Sequence, residues 1–175
     1  MTDAIPYVIA VGLAAAAAVS DWRGGRIPNW LTLPPLVAAP AAFLVLGGPY
    51  AALASLLGAF VCGLGPYLLF RKNAIGGGDV KLLAAIGAIV GLSVGLEGQL
   101  LAFLVAGFYA LACRAFGGGL LRILSNTFYL AANPFLPYHW RRDLQPQQMT
   151  SLRLGGFILL GLCMSAALRH PQLWS

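Results

Sequence analysis

Six apolar stretches divide the chain: Ala4 to Ser20, Leu31 to Leu46, Tyr50 to Phe70, Val80 to Leu96, Gly98 to Phe116, and Leu152 to Leu168. Each approaches the roughly 20 residues with which an α-helix crosses about 30 Å of hydrocarbon. Two-residue alternation is nowhere sustained enough for a barrel. The pattern therefore predicts an all-α fold, a bundle of six transmembrane helices forming one membrane domain over residues 1–175. Pro34 and Pro35 are expected in the first turn of the second helix, where a missing N–H costs little, and Pro40 is expected to kink it.

Composition supports the same frame. Apolar residues make up 59% of the chain and charged residues 9%, against about a quarter charged in an average soluble domain. The first stretch lacks the basic leader of a signal peptide, because Asp3 is the only charged side chain before it, so it is expected to be retained. Many glycines and alanines favour close helix approach. Between Gly117 and Ser151, Leu120, Leu121, Leu124 and Phe128 share one helical face opposite Arg122, Ser125, Asn126, Tyr129 and Asn133. That pattern predicts an interfacial helix in the last cytoplasmic loop.

Charge orients the bundle. Arg23, Arg26, Arg71, Lys72, Lys81, Arg114, Arg122, Arg141, Arg142 and Arg153 fall in or beside the first, third and fifth connections, whereas Arg169 lies on the other side. Positive charge marks the cytoplasmic side, which leaves both termini periplasmic. The net charge of +6 follows from this asymmetry and from attraction to anionic lipid headgroups. Nucleic acid is not an expected partner, because no basic patch carries interleaved aromatics.

Only five residues are acidic, and two of them, Asp21 and Asp79, sit at span edges on the same expected face. An ionisable group at membrane depth points to function. Asp21 ends the first apolar stretch and leads through Gly24-Gly25 into Ile27-Pro28-Asn29-Trp30-Leu31-Thr32. Asp79 follows Gly76-Gly77-Gly78 and precedes Val80-Lys81. Taken singly, the structural reading is favoured, Asp21 as a polar helix end and Asp79 as an N-cap stabilised by the helix dipole. Asn29 reads as a cap of the second helix or as a site residue, with the cap favoured. Lys81 is either a snorkelling cation or a secondary site residue.

Taken together, the two segments resemble the type IV prepilin peptidase family of membrane aspartyl proteases. That family pairs an aspartate before an Ile/Leu-Pro-Asn/Asp-x-Leu-Thr stretch with a later Gly-x-Gly-Asp-x-Lys motif. The resemblance is strong to about residue 116 and rests on hydropathy alone beyond it. It implies that Asp21 and Asp79 are catalytic, that Gly76, Gly77, Gly78, Lys81 and Asn29 shape the site, and that no metal or cofactor takes part. The implied substrate is a prepilin or pseudopilin precursor, cleaved of its basic leader at the cytoplasmic face of the bacterial inner membrane. The chain begins at its first span and has no Cys-x-x-Cys pair. The resemblance is therefore to the short, peptidase-only branch of Flp/Tad pili or to preflagellin-peptidase-like enzymes, and N-methyltransferase activity is not expected.

Paired carboxylates suit this chemistry. An ionised one takes a proton from the attacking water, while a protonated one hydrogen-bonds the scissile carbonyl and then assists the leaving amine. Close carboxylates share a proton and titrate as a pair. A helix N-terminus behind Asp79 favours its anion and makes it the preferred base. Glycines at 76–78 admit backbone conformations closed to other residues and let a substrate strand come near. Gly117-Gly118-Gly119 lacks a following acid, so a glycine run by itself is not diagnostic.

Two further readings compete. In a small polytopic transporter Asp21 and Asp79 would be proton or cation sites, but such carboxylates more often lie near mid-membrane within inverted repeats, and none is visible. A presenilin-like intramembrane protease would share the Gly-x-Gly-Asp chemistry but not the Ile-Pro-Asn segment. Cys62, Cys113 and Cys163 stand singly in apolar runs and are expected to be buried, inert thiols. His139 and His170 lie far apart without a His-Glu-x-x-His motif. Glu97 falls at the face away from the aspartates, and Asp143 reads as an ion-pair partner of Arg141 or Arg142.

Overall fold

A computed structural model of the chain describes residues 4–116 and 154–169. These form five helices, α1 (Ala4–Gly24), α2 (Asn29–Arg71), α3 (Gly77–Val90), α4 (Leu92–Phe116) and α5 (Leu154–Arg169), with no strand among the described residues. Three are long and apolar enough to cross a membrane: Ile5–Gly24, Asn29–Arg71 and Leu92–Cys113; α5 is apolar and shorter. Val8, Val37, Phe60, Leu100 and Leu168 face outward, each more than half exposed. A surface this apolar is suited to lipid and a liability in water. The described residues are thus all-helical, with apolar helices compatible with a membrane protein. The expected interfacial helix, with His139, Asp143 and His170, lies outside the described residues.

At about 1.5 Å per residue, the 43 residues of α2 would measure roughly 65 Å, about twice the hydrocarbon thickness. The helix is broken at Gly48, whose φ of 78° and ψ of −174° are non-helical. Only glycine adopts that conformation readily. Pro49 follows and has no N–H to continue the ladder. Both ends of α2 return to the start of α3: Asn29 Oδ1 accepts a hydrogen bond from Lys81 Nζ, and the Phe70 ring lies against Gly77. The helix therefore doubles back at Gly48, between the second and third expected spans. Pro40 keeps helical dihedrals. Pro34 and Pro35 fall in the second turn rather than the first, because extended Pro28 (φ −73°, ψ 147°) caps a helix that already starts at Asn29.

The boundary between α3 and α4 also differs from expectation. Gly91, with φ 80° and ψ 174°, ends α3, and α4 begins at Leu92, so Glu97 lies inside a helix rather than between two. A polar residue is tolerated there because Arg169 meets it, with Nη2 2.6 Å from Glu97 Oε2 and Nε donating at 2.7 Å.

Short and central, α3 organises the bundle. Leu82, Leu83, Ile86 and Ile89 pack in one core with Ala10, Ala14 and Ala17 of α1 and with Ile158 and Leu162 of α5. The positions 10, 14 and 17 recur at helical spacing, so α1 offers one flat face of alanines to its neighbours. Against the returning arm of α2, Gly58 and Gly87 approach so closely that a β-carbon on either would strike the other's carbonyl oxygen. Beside them Ser55 Oγ donates to Ala88 O at 2.7 Å. Small residues let backbones meet where no hydrophobic force separates helix from lipid. Cys62 is buried here, but Cys113 is exposed on α4 and Cys163 half-buried, so the expectation of three buried thiols holds for Cys62 alone. Phe108, Tyr109 and Leu111 share the exposure of Cys113.

Helices α1 and α5 run antiparallel. Gly155 rests on Ala18 and Asp21, while Ala166 clusters with Tyr7. The end of α1 and the beginnings of α2, α3 and α5 thus converge at one end of the bundle, and the Glu97–Arg169 pair closes the other. By contacts the chain divides into two units, the larger holding α1, α2, α3, α5 and α4 up to residue 106. Of the second unit, residues 107–116 of α4 are described.

Candidate active site

Asp21 lies in the last turn of α1. The helix stops just beyond it, where Gly25 takes a φ of 62° and its N–H donates to Asp21 O at 2.8 Å. Ser20 Oγ then donates to Arg26 O at 3.2 Å and holds the turn closed. Ile27, 9% exposed, folds inward. It lands directly on Gly78: a β-carbon there would sit 2.9 Å from Ile27 Cβ and 3.0 Å from Ile27 O. A glycine at 78 is thus what lets the α1–α2 loop lie against the start of α3.

Asp79 is not the N-cap that its sequence position suggested. Gly76 is the cap, and Asp79 stands three residues in, where its Oδ2 accepts the Gly76 N–H at 3.2 Å. The carboxylate thereby satisfies one of the orphan donors of the helix start. It also sits at the positive end of the α3 dipole.

Both acids open into one cavity of about 280 Å³, lined by Asp21, Gly25, Arg26, Ile27, Gly76, Gly77, Gly78 and Asp79. Asp21 is 7% exposed and Asp79 is 9% exposed, and the charge of one acts on the other through space. Two carboxyl groups so placed disfavour double ionisation, which is the condition for sharing one proton. The backbone around them is stripped to glycine on one wall, leaving amide groups accessible to an extended peptide. Larger cavities exist elsewhere. One of about 630 Å³ opens near Tyr7, Gly91 and Arg169, at the end remote from both acids, and carries no comparable pair.

Of the residues singled out in the sequence, Asp21, Asp79, Gly76, Gly77 and Gly78 meet in the cavity. Lys81 and Asn29 do not line it. They bond to each other at 2.8 Å, a strut between the start of α2 and the first turns of α3. Asn29 is the first residue of its helix with Pro28 as the cap and no side-chain capping bond, so its expected capping role is replaced by this link.

Sequence reasoning passed over Gly25, Arg26 and Ile27 as lining residues, although they adjoin Asp21. It also passed over Gly155. The Gly155 N–H, in the first turn of α5, donates to Asp21 Oδ2 at 3.2 Å. Each acid is thus held by one backbone N–H from the start of a helix, Asp79 from α3 and Asp21 from α5. The only hint in the sequence is the Gly155-Gly156 pair at the beginning of an apolar run.

No curated protein and no solved structure matches the chain. Residues 8–111, more than half of the chain and including both Asp21 and Asp79, match the type IV leader peptidase family. On that match the chain belongs to the type IV leader peptidase family.

Proposed function

We infer that this protein is an aspartic endopeptidase that removes the leader from prepilin or pseudopilin precursors at the cytoplasmic face of the bacterial inner membrane. The observation that carries the reading is the shared cavity, in which Asp21 and Asp79 face one volume of about 280 Å³ walled by Gly76, Gly77 and Gly78. Family membership supports a leader-type substrate. Six crossings follow if α1, the two arms of α2, α3, α4 and α5 each span the bilayer once. Arg23, Arg26, Arg71, Lys72 and Lys81 then gather at the end that holds the acids, and positive charge assigns that end to the cytoplasm. Both termini are periplasmic in this arrangement. The lone cysteines and the lack of a Cys-x-x-Cys pair favour peptidase chemistry without methyl transfer.

In the reaction, one carboxylate accepts a proton from water as the oxygen attacks the scissile carbonyl. The other, protonated, donates a hydrogen bond to that carbonyl, and the amine leaves with a proton from the pair. Asp21 and Asp79 take the base and acid roles as one coupled pair. Lys81 and Asn29 hold the two helix starts together outside the cavity.

Co-expression with a candidate prepilin tests the reading. The precursor is expected to shorten with the wild-type protein and to stay full length with Asp21→Ala or Asp79→Ala at equal membrane abundance. Normal processing by either variant would sink the paired-aspartate mechanism.

A further inference from the structure

The cavity of about 630 Å³ at the end remote from the acids belongs to no step of the cleavage chemistry. Phe43 and Ala54, from the two arms of α2, flank it, and Ile89 and Gly91, at the end of α3, form its floor. From the reversal at Gly48 to Ser55, which also lines it, is seven residues, so at about 1.5 Å per residue the cavity reaches roughly 10 Å into the bundle. Around the reversal Val45 and Leu46 are 84% and 85% exposed, so the surface beside the cavity is apolar. A volume of about 300–1,000 Å³ with apolar walls and a few polar groups is the usual form of a small-molecule site between helices.

Arg169 is the one charged residue among those lining this cavity. Glu97 Oε2 meets its Nε at 2.7 Å and its Nη2 at 2.6 Å. Both contacts fall on one edge of the planar guanidinium. Nη1 belongs to the other edge, which can donate a second pair of parallel N–H bonds. Glu97 is not among the lining residues, so the cationic member of the pair is the one that borders the cavity, and its side chain is 41% exposed.

We propose that this cavity holds one phospholipid of the leaflet opposite the acids, with an acyl chain between the arms of α2 and the phosphate on the outer edge of Arg169. The site depends on the six-crossing arrangement given above and not on the protease chemistry. Charge complementarity selects the phosphate, because a guanidinium fork matches two phosphate oxygens. The apolar depth selects the source. A free phosphate would leave roughly 10 Å of apolar wall uncovered, and a hydrocarbon without a head would leave the guanidinium edge unused. The occupant rests on the last turn of α3, the helix that presents Asp79 at its other end.

Thermal denaturation of purified protein, stripped of lipid in detergent, tests the site with three additives: dioleoyl phosphatidylglycerol, dioleoylglycerol, which has the chains without the phosphate, and inorganic phosphate. Ligand bound to the folded state alone raises the midpoint, by roughly 5–10 °C at about a hundredfold excess over Kd. That shift is expected with phosphatidylglycerol and not with the other two. Arg169→Gln and Glu97→Gln both break the ion pair, and only the first removes the phosphate partner. The shift is expected to vanish in Arg169→Gln and to persist in Glu97→Gln. Ala54→Phe, which fills the space between the arms of α2, should lose it too. It leaves the ion pair intact, so it decides the question if Arg169→Gln fails to fold. Native mass spectrometry should show one phospholipid retained by wild type and Glu97→Gln and none by Arg169→Gln or Ala54→Phe.

An equal shift with dioleoylglycerol or inorganic phosphate would overturn the proposal, as would an undiminished shift in Arg169→Gln or Ala54→Phe. Loss of the shift in Glu97→Gln as well as Arg169→Gln would make the pair a structural bond only and overturn it likewise. A doubled mass without lipid would assign the cavity to a second copy of the chain. Wild type recovered in the soluble fraction would remove the six-crossing arrangement and the site with it, a result separate from a membrane protein that retains no lipid.

Discussion

Replacing Gly155 by alanine should damage catalysis without unfolding the bundle. A β-carbon at 155 would lie 3.1 Å from Asp21 Cβ, 3.2 Å from Asp21 Oδ2 and 3.2 Å from Ala18 Cα. Unstrained carbon contacts sit at about 3.5–4.0 Å, so α5 must withdraw from α1 by roughly half an ångström. The Gly155 N–H to Asp21 Oδ2 bond, already 3.2 Å, would then exceed hydrogen-bonding distance. A hydrogen bond to a charged group is worth about 1.5–3 kcal/mol, and overpacking adds a destabilisation of about 1–3 kcal/mol to the fold. If the first of these is lost at the transition state, kcat/KM falls about 10- to 150-fold. The assay is steady-state cleavage of a purified precursor by wild type, Gly155→Ala and Gly156→Ala, with thermal denaturation in detergent followed alongside. Gly156→Ala is the internal control, because its added methyl meets no neighbour. Full activity in Gly155→Ala, or the same loss in both variants, would refute the role given to the α5 N-terminus.

Three other outcomes follow from the same packing. Gly78→Ala should reduce cleavage at least as much as Gly155→Ala, because its methyl would press on the Ile27 backbone oxygen as well as its side chain and push the loop bearing Arg26 off α3; unchanged kcat/KM would contradict this. Lys81→Met should leave most activity intact and lower thermal stability by about 1 kcal/mol or less, as for an exposed polar link, and Asn29→Ala in the same protein should add nothing further; abolished cleavage would make Lys81 part of the chemistry. Gly48→Ala should lower stability by roughly 1–3 kcal/mol, the cost of a non-glycine residue in such a backbone region, and a thermal midpoint equal to wild type would show that α2 tolerates another bend.

Legibility in the sequence followed locality. Asp21 and Asp79 stood out because the residues that make them special, Ile27-Pro28-Asn29 and Gly76-Gly77-Gly78, are their chain neighbours. The reversal at Gly48 was legible for a similar reason, since Gly47-Gly48-Pro49 interrupts the apolar run at the place where the helix turns back. The boundary at Gly91 was not, because Ile89, Val90 and Leu92 keep the hydropathy high across it, and Glu97 gave a false polar break that Arg169 compensates from 72 residues away. Gly155 was invisible for a deeper reason. Its contribution is a backbone N–H aimed by the packing of α5 on α1 across 134 positions, and no side chain announces it. Asn29 was misjudged because its partner Lys81 comes from another helix, 52 residues on.

Two carboxylates that share a cavity should each be indispensable to peptide-bond cleavage, and purified protein in proteoliposomes puts that to the most direct test. Wild type, Asp21→Asn and Asp79→Asn are incubated with a membrane-anchored precursor, and the new amino terminus is read by mass spectrometry. The account predicts a single new terminus at one site with wild type and a loss of at least about a thousandfold in rate with each amide variant, comparable to loss of a general acid or base. Cleavage at that site by either variant at a rate near wild type would contradict it.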